Sequence, residues 1–317
     1  RRIPGSLSSL VSRFAENAFW LARYVERAEN VARILEVNAT FARDAEGDAD
    51  WRRILDLYAE GETFDAAYET ADAASVTYFY TLDPDSPSSI VAALKNAREN
   101  ARALRHLIST EMWTQLNVLY NDIRAFTRRD LRSTNLSTML GRIILSCQTF
   151  EGVAEGTFLR SEAWMFYQLG KHIERADQTT RVLDMGYARL HPKLGDAVGA
   201  VYWNALLRSV AGFHAFRNRH PMESEPADIA RFLLYDHEFP RAAALCLDRI
   251  TSRLRALEVL HGVRRREAVE AARRELEFTL ETGLDEELTP EGLHVFLDRL
   301  QVALGRMSYA LSETYFS

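Results

Sequence analysis

The sequence predicts an all-α fold, a multi-helix bundle built from two pseudo-symmetric halves. Apolar residues recur at three- and four-residue steps, and no stretch alternates polar and apolar residues as a half-buried strand does. Glycine and proline are scarce, at 15 and 8 in 317 residues, which disfavours many short strands. Two similar phrases, YVERAEN at 24–30 and HIERADQ at 172–178, lie about half a chain length apart. The repeat predicts the two halves.

The composition excludes several classes of partner. A net charge of −6 gives no overall basic field, so we expect neither nucleic acid nor an anionic membrane as a partner. No apolar run of about 18 residues suggests a membrane span, and no signal peptide is expected at the start. Cys147 and Cys246 lie in apolar helical stretches and are typical of buried thiols in a reducing compartment. We therefore expect a cytoplasmic protein.

The first long helix is predicted over residues 12–41. One apolar stripe along it comprises Phe14, Ala18, Leu21, Ala22, Val25, Ala28, Ala32 and Leu35. A second stripe comprises Trp20, Tyr24, Arg27, Val31 and Ile34, and Arg27 is its one charged member. A helix that is apolar on two sides is predicted to be central. Any charge on it must then be paired, because burying an isolated charge is costly.

Prolines mark the starts of later helices. The sequence places Ser86 at an N-cap and Pro87 at the first helical position, and Thr289 and Pro290 in the same roles. Helices are also predicted to begin at Pro226 and Pro240. Breaks are predicted near 44–50, 81–87, 130–136, 189–198, 219–226 and 283–289. The glycine-containing stretch 150–164 predicts a helix–helix connection or, alternatively, part of a cleft or partner surface. The basic strip 264–266, followed by interleaved glutamates and arginines, predicts a solvated helix face.

The repeat extends well beyond the opening phrase. Glu26 aligns with Glu174 at an offset of 148 residues, and neighbouring positions on both sides match at the same offset. Trp51 then resembles Trp203, and the stretch before Pro87 resembles the stretch before Pro240, at offsets of 152 and 153. Three segments in the same order indicate a duplication of about 150 residues. We expect one domain over 1–317, with halves of roughly 1–150 and 151–317.

The two Glu-Arg doublets predict paired charges. If the two long helices cross on a pseudo-two-fold axis, Glu26 meets Arg175 and Glu174 meets Arg27. Gly170 and the small residue at the equivalent place in the first copy, Ala22, would permit the close approach that such a crossing needs. This interpretation makes the doublets a reciprocal set of buried ion pairs that specifies which helix packs where.

The same residues also suggest a site for an anion or a carboxylate. Cations exceed the two doublet glutamates, and arginine forks suit carboxylates and phosphates. The candidate binding residues are Arg13, Arg23, Glu26, Arg27, Arg33, Lys171, Glu174, Arg175 and Arg181. The site is predicted at the edge of the pairing, around Arg13, Arg23, Arg33, Lys171 and Arg181.

No motif identifies catalytic chemistry. A di-metal centre in a helical bundle uses Glu-x-x-His, and neither doublet has a histidine three residues after its glutamate. The chain has no nucleophile elbow, phosphate-binding glycine loop or dinucleotide fingerprint. We therefore expect no cofactor, no metal and no catalytic residue. The oligomeric state is not predicted.

Several motifs together resemble a known family. SRFAENAFWLARYVERAENVARIL at 12–35, QLGKHIERAD at 168–177, FLLYDHEFPRA at 232–242 and LSETYF at 311–316 follow one another in the family's order. The chain resembles the bacterial alpha-E family, an all-helical domain of unknown function with a Glu-Arg motif. His172 is a departure, because the family pattern has an aromatic residue such as tyrosine there.

The resemblance implies a context for function. Genes of the family are associated with a circularly permuted ATP-grasp ligase and with a transglutaminase-like cysteine peptidase. The resemblance therefore implies a non-catalytic accessory or binding module in ATP-dependent peptide or amide-bond formation. The alternatives are an enzyme that uses Glu26 or Glu174 as a base, a protein that binds small-molecule or peptide carboxylates in a Glu/Arg-rich groove between the halves, and a purely structural homo-oligomer.

Overall fold

The computed structural model describes residues 6–44, 50–190, 197–221, 225–261, 267–283 and 290–316. Within these ranges it contains fourteen α-helices and a C-terminal π-helical turn, and no β-strand. The all-α prediction is confirmed. The helices are α1 (Ser6–Asp44), α2 (Arg52–Leu57), α3 (Gly61–Asp65), α4 (Ala73–Thr81), α5 (Ile90–Ala103), α6 (Thr110–Ala125), α7 (Leu136–Thr157), α8 (Glu162–Leu190), α9 (Ala197–Ser209), α10 (Phe213–Arg219), α11 (Pro226–Tyr235), α12 (Ala243–His261), α13 (Glu267–Thr282) and α14 (Pro290–Leu311), followed by the turn Ser312–Phe316.

Helix α1 lies at the centre of the bundle, as its two apolar stripes predict. Leu21, Val25 and Ala28 on one stripe are fully buried, and Val31 and Ile34 on the other are nearly so. Helices α5, α7, α8 and α9 all pack against α1. Because neighbours cover both sides of the helix, its charged residues have little access to water and must find partners within the protein.

Helix α1 packs most extensively against α8, and this packing depends on a glycine. A side-chain carbon at Gly170 would overlap the backbone carbonyl oxygen of Phe19, so the two helix backbones lie closer than any other residue would allow. The C-terminal turn covers this contact. The ring of Phe316 lies 5.3 Å from that of Phe19 and 5.8 Å from that of Phe166. The small residue that the sequence placed before the second doublet therefore serves close packing.

The other helices collect around these two. Helices α5 and α7 pack on α1, and α6 joins them. Helices α12 and α14 pack on α8, and α13 packs on α14. Each long helix thus has its own set of neighbours, and the two sets meet along α1 and α8. The pseudo-two-fold relation of the halves and the division near residue 150 remain predictions.

Two predicted helix starts are wrong, because both helices begin three residues later than predicted. Helix α5 begins at Ile90, and its N-cap is Ser89, whose side chain accepts a hydrogen bond from the amide of Ala92. Ser86 instead accepts bonds at its carbonyl from Ser89, which closes a turn that contains Pro87. Helix α12 likewise begins three residues after Pro240. In both copies the proline belongs to the turn before the helix.

Other boundaries agree with the sequence. Helix α11 begins at Pro226 and α14 begins at Pro290, as predicted, and all six predicted breaks separate described helices. Thr289 and the basic strip 264–266 lie outside the described residues. No described helix has the length and apolar content needed to cross a membrane.

The predicted connection at 150–164 is mostly helix. Helix α7 continues through Gly152 and Gly156 to Thr157, so the connection to α8 spans 158–161. Phe150 and Ala154 continue the buried face of α7. Their burial outweighs the small helix penalty of the two glycines, which is roughly 1 kcal/mol each.

Candidate functional site

The two Glu-Arg doublets meet where α1 crosses α8. Nε and an Nη group of Arg175 donate to the two carboxylate oxygens of Glu26, both at 2.8 Å. Arg27 donates to the two oxygens of Glu174 at 2.8 and 3.1 Å. The predicted reciprocal ion pairs are therefore confirmed. The exposed fractions of Glu26 and Glu174 are 0% and 1%, so neither carboxylate lines an open cleft.

The surrounding contacts repeat in both copies at the offset of 148. Asn30 donates to Glu26 and Gln178 donates to Glu174, both at 3.4 Å and both from four residues later in the helix. A second pair of contacts also repeats. Arg33 binds Glu29 at 2.8 Å, and Arg181 binds Asp177 at 2.7 Å. The duplication therefore preserves pairwise contacts as well as residue types.

Arg241 joins this network from a distant part of the chain. It lies in the turn before α12, and it donates to Glu26, Glu29 and Asn30, each at 2.8 Å. Its side chain is buried, with 9% exposed. Sequence reasoning missed this residue because the turn has no helical periodicity. The proline-arginine dipeptide at its centre gives no hint of a buried partner.

Arg23 completes the shell around the second glutamate. Its Nε donates to Glu174 at 2.8 Å, and an Nη group donates to the hydroxyl of Ser308 on α14 at 2.8 Å. Its guanidinium also lies 4.8 Å from the ring centroid of Trp20. Arg23 therefore lies within the pairing of the doublets and not at its edge, where the sequence placed it.

The electrostatics keep both doublet glutamates ionised. Burial raises the pKa of Glu174, but Arg27 and Arg23 outweigh burial and hold the pKa at about 2. Burial likewise opposes ionisation of Glu26, and Arg175 and Arg241 hold its pKa well below the ordinary value. A carboxylate that is buried, ionised and bound by two guanidinium groups cannot accept a proton near neutral pH. It is therefore a poor general base.

Comparison with protein families shows the family to which the chain belongs. Residues 10–316 match the model of Alpha-E, described as a predicted alpha-helical domain with a conserved ER motif. The chain belongs to the Alpha-E family. Within the matched range the sequence contains the Glu-Arg dipeptide at Glu26-Arg27 and again at Glu174-Arg175.

Curated relatives of this Alpha-E chain are uncharacterised. Proteins from Mycobacterium bovis and from two strains of Mycobacterium tuberculosis are 28% identical to it. Each match covers 80% of this chain but 31% of the relative. The chain therefore spans less than a third of the length of these relatives. No solved structure matches it significantly.

The remaining candidate cations of this Alpha-E chain differ in their surroundings. Lys171 forms a 2.6 Å ion pair with Glu151 on α7, and the hydroxyl of Tyr167 donates to the same carboxylate. Arg13 is exposed on α1, and no described carboxylate lies within ion-pair distance of it. The structure thus brings eight of the nine candidate residues into paired contacts around the helix crossing and leaves Arg13 apart. Whether the nine bind a ligand stays a prediction.

Neighbouring polar groups do not add a reactive centre. His172 is buried beside Gln168, and burial keeps the pKa of its imidazole well below the ordinary value, so it is neutral. Both cysteines are buried, as predicted, and burial raises the pKa of each thiol, to about 12 for Cys246. A buried thiol with a raised pKa is not a nucleophile near neutral pH.

One group of possible metal ligands lies elsewhere. Possible ligand atoms of Asp184, His294 and Asp298 all lie within 4.8 Å of one another. The imidazole of His294 pairs with Asp184 at 2.8 Å, and two of the three residues are exposed. Arg53 and Arg181 line the same cavity and oppose a bound cation. The contacts are those of a surface ion pair.

Proposed function

We propose that this Alpha-E chain is a non-catalytic accessory or binding module. It acts with a circularly permuted ATP-grasp ligase in ATP-dependent peptide or amide-bond formation. The non-catalytic role is supported by the burial of the two doublet glutamates, each of which is held ionised by two arginines. Residues in such a network specify helix packing, and the two glutamates themselves have no face open to a substrate.

The length of the relatives supports a role beside other domains. The Alpha-E match occupies 31% of each mycobacterial protein, so most of each relative lies outside it. An accessory module fits this arrangement, because its partner is then either part of the same polypeptide or a separate protein. We further propose that a transglutaminase-like peptidase acts in the same system. A cytoplasmic location fits the two buried free thiols.

Reconstitution with the ATP-grasp protein tests this proposal. We expect the two proteins to co-elute in size-exclusion chromatography, and we expect the chain to change the rate of ATP turnover. The Glu26→Gln variant, assayed at a temperature where it is folded, should keep that effect, because the carboxylate has no chemical role. Neither co-elution nor a change in turnover with a folded wild-type chain would overturn the proposal.

A second candidate is a carboxylate-binding protein or enzyme that uses the arginines. One observation favours it. Within the described network six arginines contact four carboxylates, namely Arg23, Arg27, Arg33, Arg175, Arg181 and Arg241 around Glu26, Glu29, Glu174 and Asp177. Arg27 and Arg181 each retain 27% exposure at the rim. Loss of activity or ligand binding in a Glu26→Gln variant of unchanged stability would favour this candidate over the accessory module.

A further inference from the structure

A cavity between α1 and α9 combines opposite charges in a small volume. It encloses about 370 Å³, within the range of roughly 300–1,000 Å³ that is typical of small-ligand sites. Arg33, Glu36 and Thr40 line it from α1, and Asn204 and Arg208 line it from α9. The doublets are not part of its lining. Apart from Arg33, which also binds Glu29 in the ion-pair network, its polar residues lie outside that network.

The charged groups of this cavity are incompletely paired. The Nε of Arg33 donates to Glu29, and no described acceptor binds its two Nη groups. Arg208 has its guanidinium 4.9 Å from the ring centroid of Phe213 and forms no ion pair with a described carboxylate. Two guanidinium groups at one cavity therefore have donors left for an anionic group.

Glu36 provides the opposite charge. Its carboxylate accepts a long hydrogen bond of 3.5 Å from the hydroxyl of Ser137, and no described cation lies within ion-pair distance. The side chain is partly buried. Burial raises the pKa of Glu36, and Arg33 offsets part of that rise. A ligand ammonium group would give this carboxylate the close cation that the described residues do not supply.

An apolar pit adjoins the charged cavity and shares Val37 and Ala205 with it. The pit encloses about 30 Å³, and Ile34, Val182 and Leu206 are among its lining residues. A pit of this size accepts a methyl group or a slightly larger side chain. It therefore suits a ligand whose apolar side chain is short.

We propose that the cavity binds a small zwitterion, an α-amino acid or a dipeptide with a short apolar side chain. The ligand carboxylate binds the guanidinium groups of Arg33 and Arg208, its ammonium group binds Glu36, and its side chain enters the pit. The inference goes beyond the proposed ligase partnership, and it is tested without any partner. Failure of zwitterion binding is thus distinguishable from failure of the ligase partnership.

Direct titration with four compounds tests the proposal. L-Alanine and L-alanyl-L-alanine carry both charges, N-acetyl-L-alanine lacks the ammonium group, and L-alanine amide lacks the carboxylate. In ligand-observed NMR and calorimetry, we expect one or both of the zwitterions to bind at least about tenfold more tightly than the two blocked compounds, since each blocked compound lacks one charge-assisted contact. Absence of binding by both zwitterions, or equal binding of the blocked compounds, overturns the proposal.

Matched variants locate the binding site. Glu36→Gln and Arg208→Gln should each weaken the tighter zwitterion by about tenfold. Arg249→Gln, an exposed arginine on α12 that does not line the cavity, should leave the affinity unchanged. Thermal melting confirms that each variant is folded before titration. Unchanged affinity in both folded cavity variants places the binding elsewhere and contradicts the assignment. Arg33 is left intact because it also holds Glu29.

Discussion

At the scale of single residues, the doublets illustrate how buried charges act as packing determinants. Glu26 and Glu174 are ionised because each accepts hydrogen bonds from two arginines, and each of those arginines loses one carboxylate partner if the glutamate is removed. The net gain from a buried ion pair is small, but the cost of breaking one is large. The residues therefore act mainly by disfavouring other registers of α1 on α8.

Removal of the first carboxylate should destabilise the fold. We expect Glu26→Gln to lower the free energy of unfolding by about 3 kcal/mol or more, because Arg175 stays buried without its counter-charge and Arg241 keeps only Glu29 as a counter-charge. Urea denaturation followed by circular dichroism measures this change. Glu99→Gln is the matched control, since its carboxylate is half exposed, and we expect a change within about 0.5 kcal/mol. Equal effects of the two substitutions would contradict the buried-pair role.

The lowered pKa of Glu174 predicts sensitivity to acid. The folded-state value of about 2 lies below the ordinary value of 4.5, so the stabilisation is complete above about pH 4.5. It is lost as the pH falls from there towards the folded-state pKa, because the unfolded chain binds the proton first. The free energy of unfolding should therefore fall less steeply for Glu174→Gln than for the wild type between about pH 5.5 and 3.5. Parallel curves would show that Glu174 has no such role.

At the scale of elements, the crossing of α1 and α8 depends on the absence of one side chain. Gly170 lies where a side-chain carbon would meet the backbone of Phe19, and backbone cannot move aside as a flexible side chain can. The close approach also brings the doublets within hydrogen-bonding range of one another. The packing contact and the ion pairs therefore depend on each other.

Substitution of this glycine should separate the two helices. Alanine ordinarily stabilises a helix relative to glycine by up to about 1 kcal/mol, and we expect that gain at Gly141 on α7, where added atoms meet open space. We expect Gly170→Ala instead to destabilise the chain by roughly 1–3 kcal/mol through overpacking. Chemical denaturation of the two variants gives the comparison. Stabilisation by both substitutions would show that the approach is not as close as described.

At the scale of the whole molecule, the shared α1–α8 contact argues for one cooperative unit. Each of these helices carries neighbours from its own part of the chain, and each buries the other's doublet. Separation of the two parts would expose both apolar faces and leave both glutamates unpaired. The predicted single domain over 1–317 follows from the same contacts, although it remains a prediction.

Unfolding should therefore occur in one transition. The five tryptophans are distributed over both parts of the chain, so fluorescence reports on both. We expect the urea transitions measured by tryptophan fluorescence and by far-ultraviolet circular dichroism to coincide. Two separated transitions would indicate that the halves fold independently and that the α1–α8 contact contributes less than its burial implies.

The sequence by itself determined the helical class, the central position of α1 and the partners of the two doublets. Those features follow from periodicity within one helix and from a repeat between two helices, both of which are local patterns of residue type. Asn30 and Gln178 were within reach of the same reasoning, since each lies four residues after its glutamate. The exact starting residues of α5 and α12 could not be predicted in this way, because a proline is compatible with the turn as well as with the helix.

The tertiary structure alone decided which further groups surround the doublets and whether they are open to solvent. Arg241 reaches Glu26 from 215 residues away, and no spacing rule connects a turn residue to a helix so distant in sequence. Burial also depends on all the neighbouring helices at once, so the sequence left an ion-pair network and an anion site as rival interpretations. The cavity between α1 and α9 has the same origin, because its opposite charges come together only through packing.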